Sequence, residues 1–210
     1  KLVLFTITEM GASLIKKEAI TGYEDLEIDL YQDKRLEGKK DLWFESCLHD
    51  LNWETGFIKI FGKTHQIPRL QAWYADNKIE YTYSGKKLQR HNWNNLLLDI
   101  KEKIESITSF EFNSVLANLY RDGNDSMGFH SDDEEELGSK PIIASISLGE
   151  NRPLIFKHKN KNITHRIEQN HGDIILMTGN TQQEWKHGIN KSKKITLPRI
   201  NLTFRTIITR

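Results

Sequence analysis

The sequence predicts a mainly β protein with flanking helices, an α+β chain built on an all-β sandwich or jelly roll. Two observations support this fold class. After residue 112, short runs of alternating apolar and polar residues are separated by turn-forming residues, and few helical patterns interrupt them. Before residue 112, two stretches repeat apolar residues at helical spacing. We expect one structural domain with three segments: an N-terminal strand and helix over 1–55, hairpins plus a helix over 56–112, and the β core over 113–210.

Composition restricts the classes to which the protein can belong. Its 210 residues include 30 basic and 29 acidic side chains, so the net charge of +1 gives no information on nucleic-acid binding. The single cysteine, Cys47, excludes an intramolecular disulfide framework, and we expect a buried thiol in a reducing compartment. No apolar stretch reaches the roughly 18 residues of a membrane span, and the apolar run at 1–7 is too short for a secretory signal. These features predict a soluble, intracellular protein without a membrane partner.

Four elements are predicted before residue 112. Leu2–Thr8 and Leu26–Tyr31 have the composition of short strands, and the second is expected to join the main sheet. Asp41–Leu51 places apolar residues at i, i+3, i+4 and i+7, which is typical of an amphipathic helix. A second helix, over about Asn92–Thr108, has an apolar stripe opposite charged residues. Both helices are expected to pack on a sheet.

The β-rich part of the chain begins at Asn113. The apolar residues of 115–119 alternate with Asn118 and Tyr120, so these two polar side chains are expected to share a face that points into a cavity. Further strands are expected over Ile142–Leu148, Leu154–His158, Thr164–Ile167, Asp173–Met177 and Ile200–Thr206. Short strands of this kind, joined by turns, form sandwiches and jelly rolls.

A candidate metal site begins with His130-x-Asp132. Residues two apart in an extended segment share a face, so this spacing aims an imidazole and a carboxylate at one point. His187, within Q-E-W-K-H-G-I, is a candidate third ligand. Two His and one carboxylate on one side of a metal leave open positions opposite, which is the arrangement of non-haem Fe(II) oxygenases. Taken singly, each of these residues is more often ordinary polar surface.

The strand pattern near the C-terminal end has two chemically different faces. One face carries Arg199, Asn201, Thr203 and Arg205, and the other carries Ile200, Leu202 and Phe204. Two guanidinium groups on one face suit a dicarboxylate, because Arg binds carboxylate in bidentate fashion. Salt-bridged strand residues are the alternative. The combination of metal-type ligands with a downstream carboxylate clamp favours a binding site.

These motifs, in this order, resemble the AlkB family of Fe(II)/2-oxoglutarate dioxygenases. The matching segments are N-L-Y-x-D-G from Asn118, G-x-H-x-D-D-E from Gly128, H-G at His171, W-x-H at Trp185 and P-R-x-N-L-T-F-R from Pro198. Two more, I-F-G-K-x-H-x-I-P-R over Ile60–Arg69 and Y-T-Y-S-G over Tyr81–Gly85, are similar to the DNA-repair branch of the family. The resemblance covers about residues 56 to 207 and is highly specific, since several independent motifs keep their order.

The resemblance implies a double-stranded β-helix with Fe(II) bound by His130, Asp132 and His187. It assigns the co-substrate 2-oxoglutarate to Asn118, Tyr120, Arg199, Asn201 and Arg205. Arg199, helped by Asn118 and Tyr120, is expected at the distal carboxylate, and Arg205 with Asn201 at the carboxylate near the metal. With O2 as oxidant, 2-oxoglutarate is expected to give succinate while an N-methyl group of a base is hydroxylated and lost as formaldehyde.

The resemblance also implies a nucleic-acid substrate, with DNA lesions of the 1-methyladenine and 3-methylcytosine type. Such a base must leave the helix to reach a buried metal. Phe61, on a hairpin of the nucleotide-recognition segment 56–112, is expected to wedge into the duplex, and a core aromatic at a strand end is the alternative. Tyr81 and Tyr83 share a face and are expected to contact the base.

Charged residues beyond the predicted ligands suggest further contacts. Asp133 and Glu134 are expected to favour cationic lesions, and an exposed acidic helix start is the alternative, above all for Glu134. Basic residues concentrate in two loops that the family uses to contact the nucleic-acid backbone, and solvated loops are the alternative. The candidate backbone contacts are Lys157, Lys159, Lys193 and Lys194.

Three alternatives to a DNA demethylase stay open. The first is an oxygenase that acts on RNA, free nucleotide or a protein side chain. The second is a hydrolase in which the two His and the Asp hold Zn2+, although this leaves Arg199 and Arg205 unexplained. The third is a non-catalytic nucleic-acid-binding module, although no ligand or clamp position is missing. The expected partner is alkylated DNA, duplex or single-stranded, with RNA as the alternative, and the chain is expected to act as a monomer.

Overall fold

The computed structural model describes residues 15–20, 22–60, 62–80, 82–83 and 86–208, and at 58–60, 82–83 and 86–87 it describes only the backbone. The predictions for Leu2–Thr8, Phe61 and Tyr81 lie outside these residues. Tyr83 is described by its backbone alone.

Fifteen strands and three α-helices occur in the described residues. The strands are β1 (Ile15–Ile20), β2 (Glu27–Asp33), β3 (Glu54–Ile60), β4 (Lys63–Ala75), β5 (Thr82–Tyr83), β6 (Lys86–Lys87), β7 (Arg90–His91), β8 (Ser114–Tyr120), β9 (Met127–His130), β10 (Ile143–Gly149), β11 (Leu154–His158), β12 (Thr164–Ile167), β13 (Ile174–Thr178), β14 (Trp185–Ile189) and β15 (Arg199–Arg205). The helices are α1 (Lys40–Asp50), α2 (Asn95–Thr108) and α3 (Thr181–Glu184). Short 3-10 turns occupy Lys34–Leu36 and Glu135–Leu137.

The strands form a large sheet, a small sheet and a short hairpin. The large sheet has the order β1-β2-β13-β10-β15-β8-β4-β3, with β7 beside β4, and the small sheet has the order β12-β11-β14-β9. Except for the parallel pair β4–β7, all pairings in the two sheets are antiparallel. The predicted mainly β, jelly-roll fold is confirmed, and so is the prediction that Leu26–Tyr31 joins the main sheet.

The large sheet is covered on both of its faces. On one face, α1 and α2 bury an apolar layer against the inner strands through Trp43, Cys47, Leu97, Ile100 and Ile104. On the other face, side chains of the large sheet pack against the small sheet through Tyr120, Ile143, Met177, Phe156 and Trp185. Strands β8 and β15 are therefore buried on both faces, and their polar side chains lie in an enclosed space between the sheets.

The helices agree closely with the sequence pattern, and their ends have local causes. The second helix begins at Asn95, later than predicted, because the Asn94 side chain accepts a hydrogen bond from the backbone amide of Leu97 and caps the first turn. Cys47 is fully buried, as predicted, and burial raises the pKa of its thiol to about 12. Among the described residues, no helix combines the length and the apolar character that crossing a lipid bilayer would require.

Two local features near the predicted site differ from expectation. Strand β9 ends at His130, so Asp132 lies in the irregular segment after the strand and not within it. That segment is held by a hydrogen bond from the backbone amide of Asp132 to Oε1 of Gln182, at 2.9 Å. Gln182 belongs to α3, a single turn that the sequence did not indicate because four residues are too few to show helical periodicity.

Candidate active site

The two candidate His ligands face each other across a strand pair of the small sheet. His130 on β9 is the direct antiparallel partner of His187 on β14, and their ring centroids are 4.4 Å apart. Nε2 of His130 is 3.6 Å from Oδ1 of Asp132. One ligand atom from each of the three side chains lies within 4.8 Å of the others. The structure therefore brings together the three residues that the sequence proposed as metal ligands.

The hydrogen bond at His130 fixes which ring nitrogen is available to a metal. Nδ1 of His130 lies 3.0 Å from the carbonyl oxygen of Gly128. Because a carbonyl only accepts, Nδ1 must carry the proton, and Nε2 then presents its lone pair toward Asp132. A ligating His is commonly oriented in this way by a partner on its other nitrogen.

Asp132 is fully buried and paired with a cation on one side only. Its Oδ2 accepts hydrogen bonds from Nη2 and Nε of Arg205, at 2.8 and 3.3 Å. Its Oδ1 has no hydrogen-bond partner among the described residues. Arg205 thus neutralises the carboxylate while the other oxygen stays available toward the two imidazoles.

The electrostatics of this group favour the protonation states that a metal needs. Burial by itself raises the pKa of Asp132, but the positive charge of Arg205 and the two imidazoles outweigh it and bring this pKa down to about 2. Burial lowers the pKa of His187 to about 3, with His130 as a further cause. Burial also lowers the pKa of His130, an effect that Asp132 opposes. At neutral pH the group consists of one carboxylate and two neutral imidazoles, which are the forms that bind metals.

Arg199 lies on the cavity face of β15, as predicted, and has no carboxylate partner among the described residues. Its exposed fraction is 1%, and its Nε and Nη2 donate to Oγ of Ser147 and Oε1 of Gln169 at 2.8 and 2.9 Å. Nη1 has no hydrogen-bond partner in the described part of the chain. Burial lowers the pKa of Arg199 to about 10, so the guanidinium is still charged at neutral pH. A buried guanidinium without an anion is a ready site for a carboxylate.

The remaining predicted co-substrate residues are in the same cavity, but their hydrogen bonds differ. Oδ1 of Asn118 accepts from Nε of Arg69 at 2.8 Å. The amide nitrogen of Asn201 donates to Oγ of Ser145 and to the carbonyl of Ile146, so both of its hydrogens are already used. The cavity also includes Tyr120, whose ring lies 5.4 Å from the Arg199 guanidinium carbon.

Several functional candidates were not found from the sequence. Gln169 and Ser147 hold Arg199, Arg69 holds Asn118, and Gln182 holds the backbone of Asp132. Each reaches its partner from a distant part of the chain. No periodicity or local motif identifies such contacts, although Arg69 ends a segment that was noted for its resemblance.

Asp133 and Glu134, which directly follow the candidate metal ligand Asp132, lie at the surface of the site. The side chain of Asp133 is 62% exposed and lies 3.4 Å from Nζ of Lys159. Glu134 is partly buried and precedes the short turn Glu135–Leu137. Nζ of Lys159 also donates to the carbonyl of Gln182 at 3.0 Å. Lys159 is therefore engaged with the protein near the metal-binding group.

The other three candidate backbone-contacting lysines are exposed. Nζ of Lys157 lies 4.0 Å from the ring centroid of Phe129, a cation–π distance. Lys193 and Lys194 lie in the loop between β14 and β15. That loop is fastened to Gly123 by two backbone hydrogen bonds, and a Cβ at Gly123 would lie 1.7 Å from the Ser192 carbonyl oxygen. The loop can approach this closely only because residue 123 is glycine.

A second group of metal-type side chains lies on the same small sheet. Ligand atoms of Asp25, His158 and Glu184 also lie within 4.8 Å of one another. In this group the Asp25 carboxylate accepts from Trp185 Nε1 and Lys161 Nζ, both at 2.9 Å, and from Nε2 of His158 at 3.1 Å. Nδ1 of His158 accepts two backbone N–H groups, each at 3.0 Å. Both ring nitrogens of His158 are thus engaged in hydrogen bonds. Together with the bonds to Asp25, they fasten the segment around Asp25 to the small sheet.

The residues of the cavity fit Fe(II) and a 2-oxo dicarboxylic acid. The donor set of two imidazoles and one carboxylate is the facial set of non-haem iron sites. Four buried polar atoms without hydrogen-bond partners in the described residues belong to side chains that line this cavity: Oδ1 of Asp132, Nδ1 of His187, Nη1 of Arg199 and Nε2 of Gln169. Buried polar atoms without partners are rare in native proteins, and here a metal and an anion would satisfy them.

Comparison with known proteins identifies relatives along most of the chain. Residues 33–205 match the model of the 2OG-Fe(II) oxygenase superfamily. The chain is 36% identical to the DNA oxidative demethylase ALKBH2 of Bos taurus over 79% of its length and 63% of that protein. The corresponding human protein is also 36% identical and is covered over 67% of its length. The alpha-ketoglutarate-dependent dioxygenase alkB homolog 3 of Bos taurus is 40% identical, with 80% of this chain and 61% of that protein covered.

The chain thus spans roughly three fifths to two thirds of the length of these curated relatives. A solved structure of OsALKBH1 resembles it with a TM-score of 0.61 at 16% identity, covering 88% of this chain and 99% of that one. This structural likeness, at low identity, supports the fold.

Proposed function

Because the chain belongs to the 2OG-Fe(II) oxygenase superfamily, we propose that it removes N-alkyl groups from DNA bases by oxidation, with 2-oxoglutarate as co-substrate. The observation that carries the proposal is a single cavity that holds both the His130, Asp132 and His187 side chains and the buried Arg199 guanidinium. A metal with open positions and a separate carboxylate site are what a 2-oxo dicarboxylic acid requires. Relatives named as DNA oxidative demethylases support DNA as the substrate.

In this proposal His130, Asp132 and His187 would hold Fe(II). When bound, Fe(II) with 2-oxoglutarate and O2 supplies the oxidation that hydroxylates the N-alkyl group, which is then lost as an aldehyde while 2-oxoglutarate becomes succinate and CO2. The Gly128 carbonyl orients the His130 ring, and Arg205 keeps Asp132 ionised and in place. Burial of Asp132 and His187 excludes water from this end of the cavity.

The two arginines of β15 take different parts in binding the co-substrate. Arg199 receives the distal carboxylate, with Tyr120 against its guanidinium and Asn118 nearby in the cavity wall. Arg205 pairs with Asp132 and would also supply positive charge to the carboxylate near the metal. Asn201 acts by fixing β15 to β10, because its amide hydrogens are already bound there. The polar face of one strand thus serves both ends of one ligand.

The substrate base must leave a duplex, or come from a single strand, to reach side chains this deeply buried. Asp133 and Glu134 lie at the start of that route, and their charge favours cationic lesions such as 1-methyladenine and 3-methylcytosine. We assign Phe61 to the wedge that replaces the flipped base and Tyr81 and Tyr83 to contacts with the base. These three assignments rest on the sequence resemblance.

The nucleic-acid backbone would be contacted by Lys157, Lys193 and Lys194, which are exposed. Lys159 is bound to Gln182 and Asp133, so we assign it to positioning Asp133. The chain is proposed to act as a monomer, because one chain supplies both the metal-type group and the carboxylate site.

The decisive test is formaldehyde release from oligonucleotides that carry 1-methyladenine or 3-methylcytosine. Purified protein is supplied with Fe(II), 2-oxoglutarate and O2, and single-stranded DNA, duplex DNA and RNA of the same sequence are compared. Formaldehyde release from DNA that needs every component is the expected result. Asp132→Ala should abolish it, because the metal loses its only carboxylate ligand. Glu168→Gln, a change at an exposed residue, is the matched control and should leave release unchanged.

Each arm of this experiment excludes a different alternative. Succinate formation without formaldehyde would leave an oxygenase with another substrate. Release from RNA but not from DNA would make RNA the substrate. Restored base that forms without O2 and without formaldehyde, so that the methyl group leaves as methanol, would indicate a metal hydrolase, and the proposal would then be wrong. Phe61→Ala should reduce turnover of duplex more than of single strands, and equal losses would remove Phe61 from the wedge role.

A further inference from the structure

The buried side chain of Gln169 lies beside Arg199 and has an orientation that the hydrogen bonds determine. Its exposed fraction is 1%, and its Oε1 accepts from Nη2 of Arg199 at 2.9 Å. A guanidinium only donates, so the amide oxygen must be the atom that faces it. The amide nitrogen is therefore directed elsewhere, and Nε2 has no hydrogen-bond partner among the described residues.

Arg199 presents a second donor of the same kind. Its Nε and Nη2 are bound to Ser147 and Gln169, whereas Nη1 is buried and has no partner in the described part of the chain. Both side chains line the cavity that contains the metal-type group. Buried donors without partners are rare in native proteins, so two on neighbouring side chains indicate a ligand with two acceptor atoms. A carboxylate has two acceptor oxygens and the charge that Arg199 lacks as a partner.

The loop that carries Gln169 is fixed before any ligand arrives. The backbone amides of Asn170 and Gly172 donate to Oδ2 of Asp173 and to the carbonyl of Ser147, at 2.8 and 2.7 Å. Gly172 has φ of +92°, a conformation that favours glycine. The first bond closes the loop on itself, and the second ties it to β10, the strand that also supplies Ser147 to Arg199. Gln169 is thereby preorganised, which reduces the entropy lost when a ligand binds.

We propose that Gln169 binds the co-substrate directly, so that its Nε2 and Nη1 of Arg199 each donate to one oxygen of the distal carboxylate of 2-oxoglutarate. Gln169 then helps to select 2-oxo acids that carry a second carboxylate. The inference rests on the proposed function and specifies how one end of the co-substrate is recognised. A Gln169 that only orients Arg199 would not touch the ligand, and this difference can be measured.

The first measurement compares two ligands on the Zn(II)-loaded protein by calorimetric titration. 2-Oxoglutarate and 2-oxobutyrate share the group that chelates the metal, and only the former has a distal carboxylate. Gln169→Met keeps the side-chain length. It should weaken the binding of 2-oxoglutarate by roughly tenfold or more, as expected for a lost hydrogen bond to a charged group. Its affinity for 2-oxobutyrate should stay the same. Gln89→Met is the matched control at an exposed position and should change neither affinity.

The second measurement observes the amide of Gln169 itself. In the 15N-labelled Zn(II) protein, its side-chain NH2 resonances are assigned by their loss in Gln169→Met. They should shift and become protected from exchange when 2-oxoglutarate is added, and not when 2-oxobutyrate is added. Formation of a hydrogen bond to the distal carboxylate is the reason.

The outcomes separate the inference from the function on which it rests. Wild-type protein that binds neither 2-oxo acid would overturn both. If wild-type protein binds 2-oxoglutarate but Gln169→Met weakens both ligands equally, or neither, the inference alone is wrong. Gln169→Met could lower the affinity for 2-oxoglutarate alone while the NH2 resonances of wild-type Gln169 stay unchanged on addition of 2-oxoglutarate. Gln169 would then only orient Arg199, and the inference would be wrong.

Discussion

Two groups of His and carboxylate side chains on the small sheet look alike in composition and spacing. His130, Asp132 and His187 form one, and Asp25, His158 and Glu184 form the other; in both, the candidate ligand atoms lie within 4.8 Å of one another. They differ in how their hydrogen-bonding capacity is used. In the first, Oδ1 of Asp132 has no hydrogen-bond partner among the described residues.

In the second group, the corresponding atoms of Asp25 and His158 are already engaged. Both oxygens of Asp25 accept hydrogen bonds, and both ring nitrogens of His158 are engaged. Nζ of Lys161 also places a positive charge 2.9 Å from Asp25, where a metal would have to bind. Residues of metal-binding type at suitable distances therefore do not by themselves make a metal site. Lone pairs must also be left available by the surrounding protein.

The strongest test of this difference is metal stoichiometry. Wild-type protein should bind one Mn(II) per chain. Asp132→Asn should weaken that binding by at least roughly a hundredfold, since it removes the single charged ligand. Asp25→Asn should leave stoichiometry and affinity unchanged. Calorimetric titration of the metal-free proteins with Mn(II) measures both quantities, and a second ion that disappears in Asp25→Asn would show that the two groups are alike after all.

The next largest effect is expected on stability, when the arginine that pairs with Asp132 is replaced. Arg205→Met should destabilise the metal-free protein by about 3–5 kcal/mol, because it leaves the Asp132 charge buried and unpaired. A bound divalent ion should recover part of this loss, since it supplies positive charge to the same carboxylate. Urea unfolding with and without Mn(II) measures the two values.

Arg166→Met is a control for Arg205→Met. It breaks the Arg166–Glu168 pair, in which both side chains are more than half exposed, and its cost should be smaller and independent of the metal. If Arg205→Met is equally destabilising with and without Mn(II), the metal does not replace the positive charge of Arg205 beside Asp132, and this prediction is wrong.

The same contrast explains what could be predicted from the sequence. The alternating faces of β15 follow from the period of two that any strand has, so the placement of Arg199 and Arg205 opposite Ile200, Leu202 and Phe204 was correctly predicted. The direct pairing of His130 with His187 needed tertiary information, and only the resemblance joined residues so far apart in the chain.

The rest of the site depends on contacts that leave no local trace. Gln169 and Gln182 act through single side-chain hydrogen bonds to Arg199 and to the backbone of Asp132, and each comes from a loop or a single helical turn. Periodicity cannot reveal a residue whose neighbours on the chain do not share its surroundings. For the same reason the sequence could not separate the two His–carboxylate groups: Lys161, which occupies the second, is one of many lysines until the fold brings it to Asp25.

The distinction between occupied and available groups also applies to the lysines near the site. Lys193→Gln combined with Lys194→Gln should weaken DNA binding and reduce the slope of log affinity against log salt by about 2, one unit for each lost phosphate contact. Lys159→Met should lower stability but leave this slope unchanged, because Nζ of Lys159 is bound within the protein. Fluorescence anisotropy of a labelled oligonucleotide across a salt series measures the slope. If Lys159→Met reduces this slope as much as the double variant does, Lys159 contacts a phosphate despite its hydrogen bonds within the protein.

The smallest expected effect is the pH dependence of the occupied group. A hydrogen bond from Lys161 is the main cause that lowers the pKa of Asp25 to about 2, from an ordinary value of 3.8. A carboxyl group whose pKa is depressed on folding contributes stability above its unfolded pKa and loses it as pH falls toward the folded pKa. Because Asp25 is 23% exposed, this contribution should be modest, about 1 kcal/mol.

Asp25→Asn should therefore cost about 1 kcal/mol near pH 7, and the difference from wild type should shrink as pH falls below about 4. Urea unfolding between pH 7 and pH 3.5 covers the start of this decline. Glu168→Gln breaks an exposed pair whose side chains are 59% and 52% exposed, so it should change stability little at any pH. If the stability cost of Asp25→Asn does not vary with pH, Asp25 stabilises the protein through the geometry of its hydrogen bonds and not through its charge. The second group would then still be structural, but its charge would not be what distinguishes it from the metal-binding group.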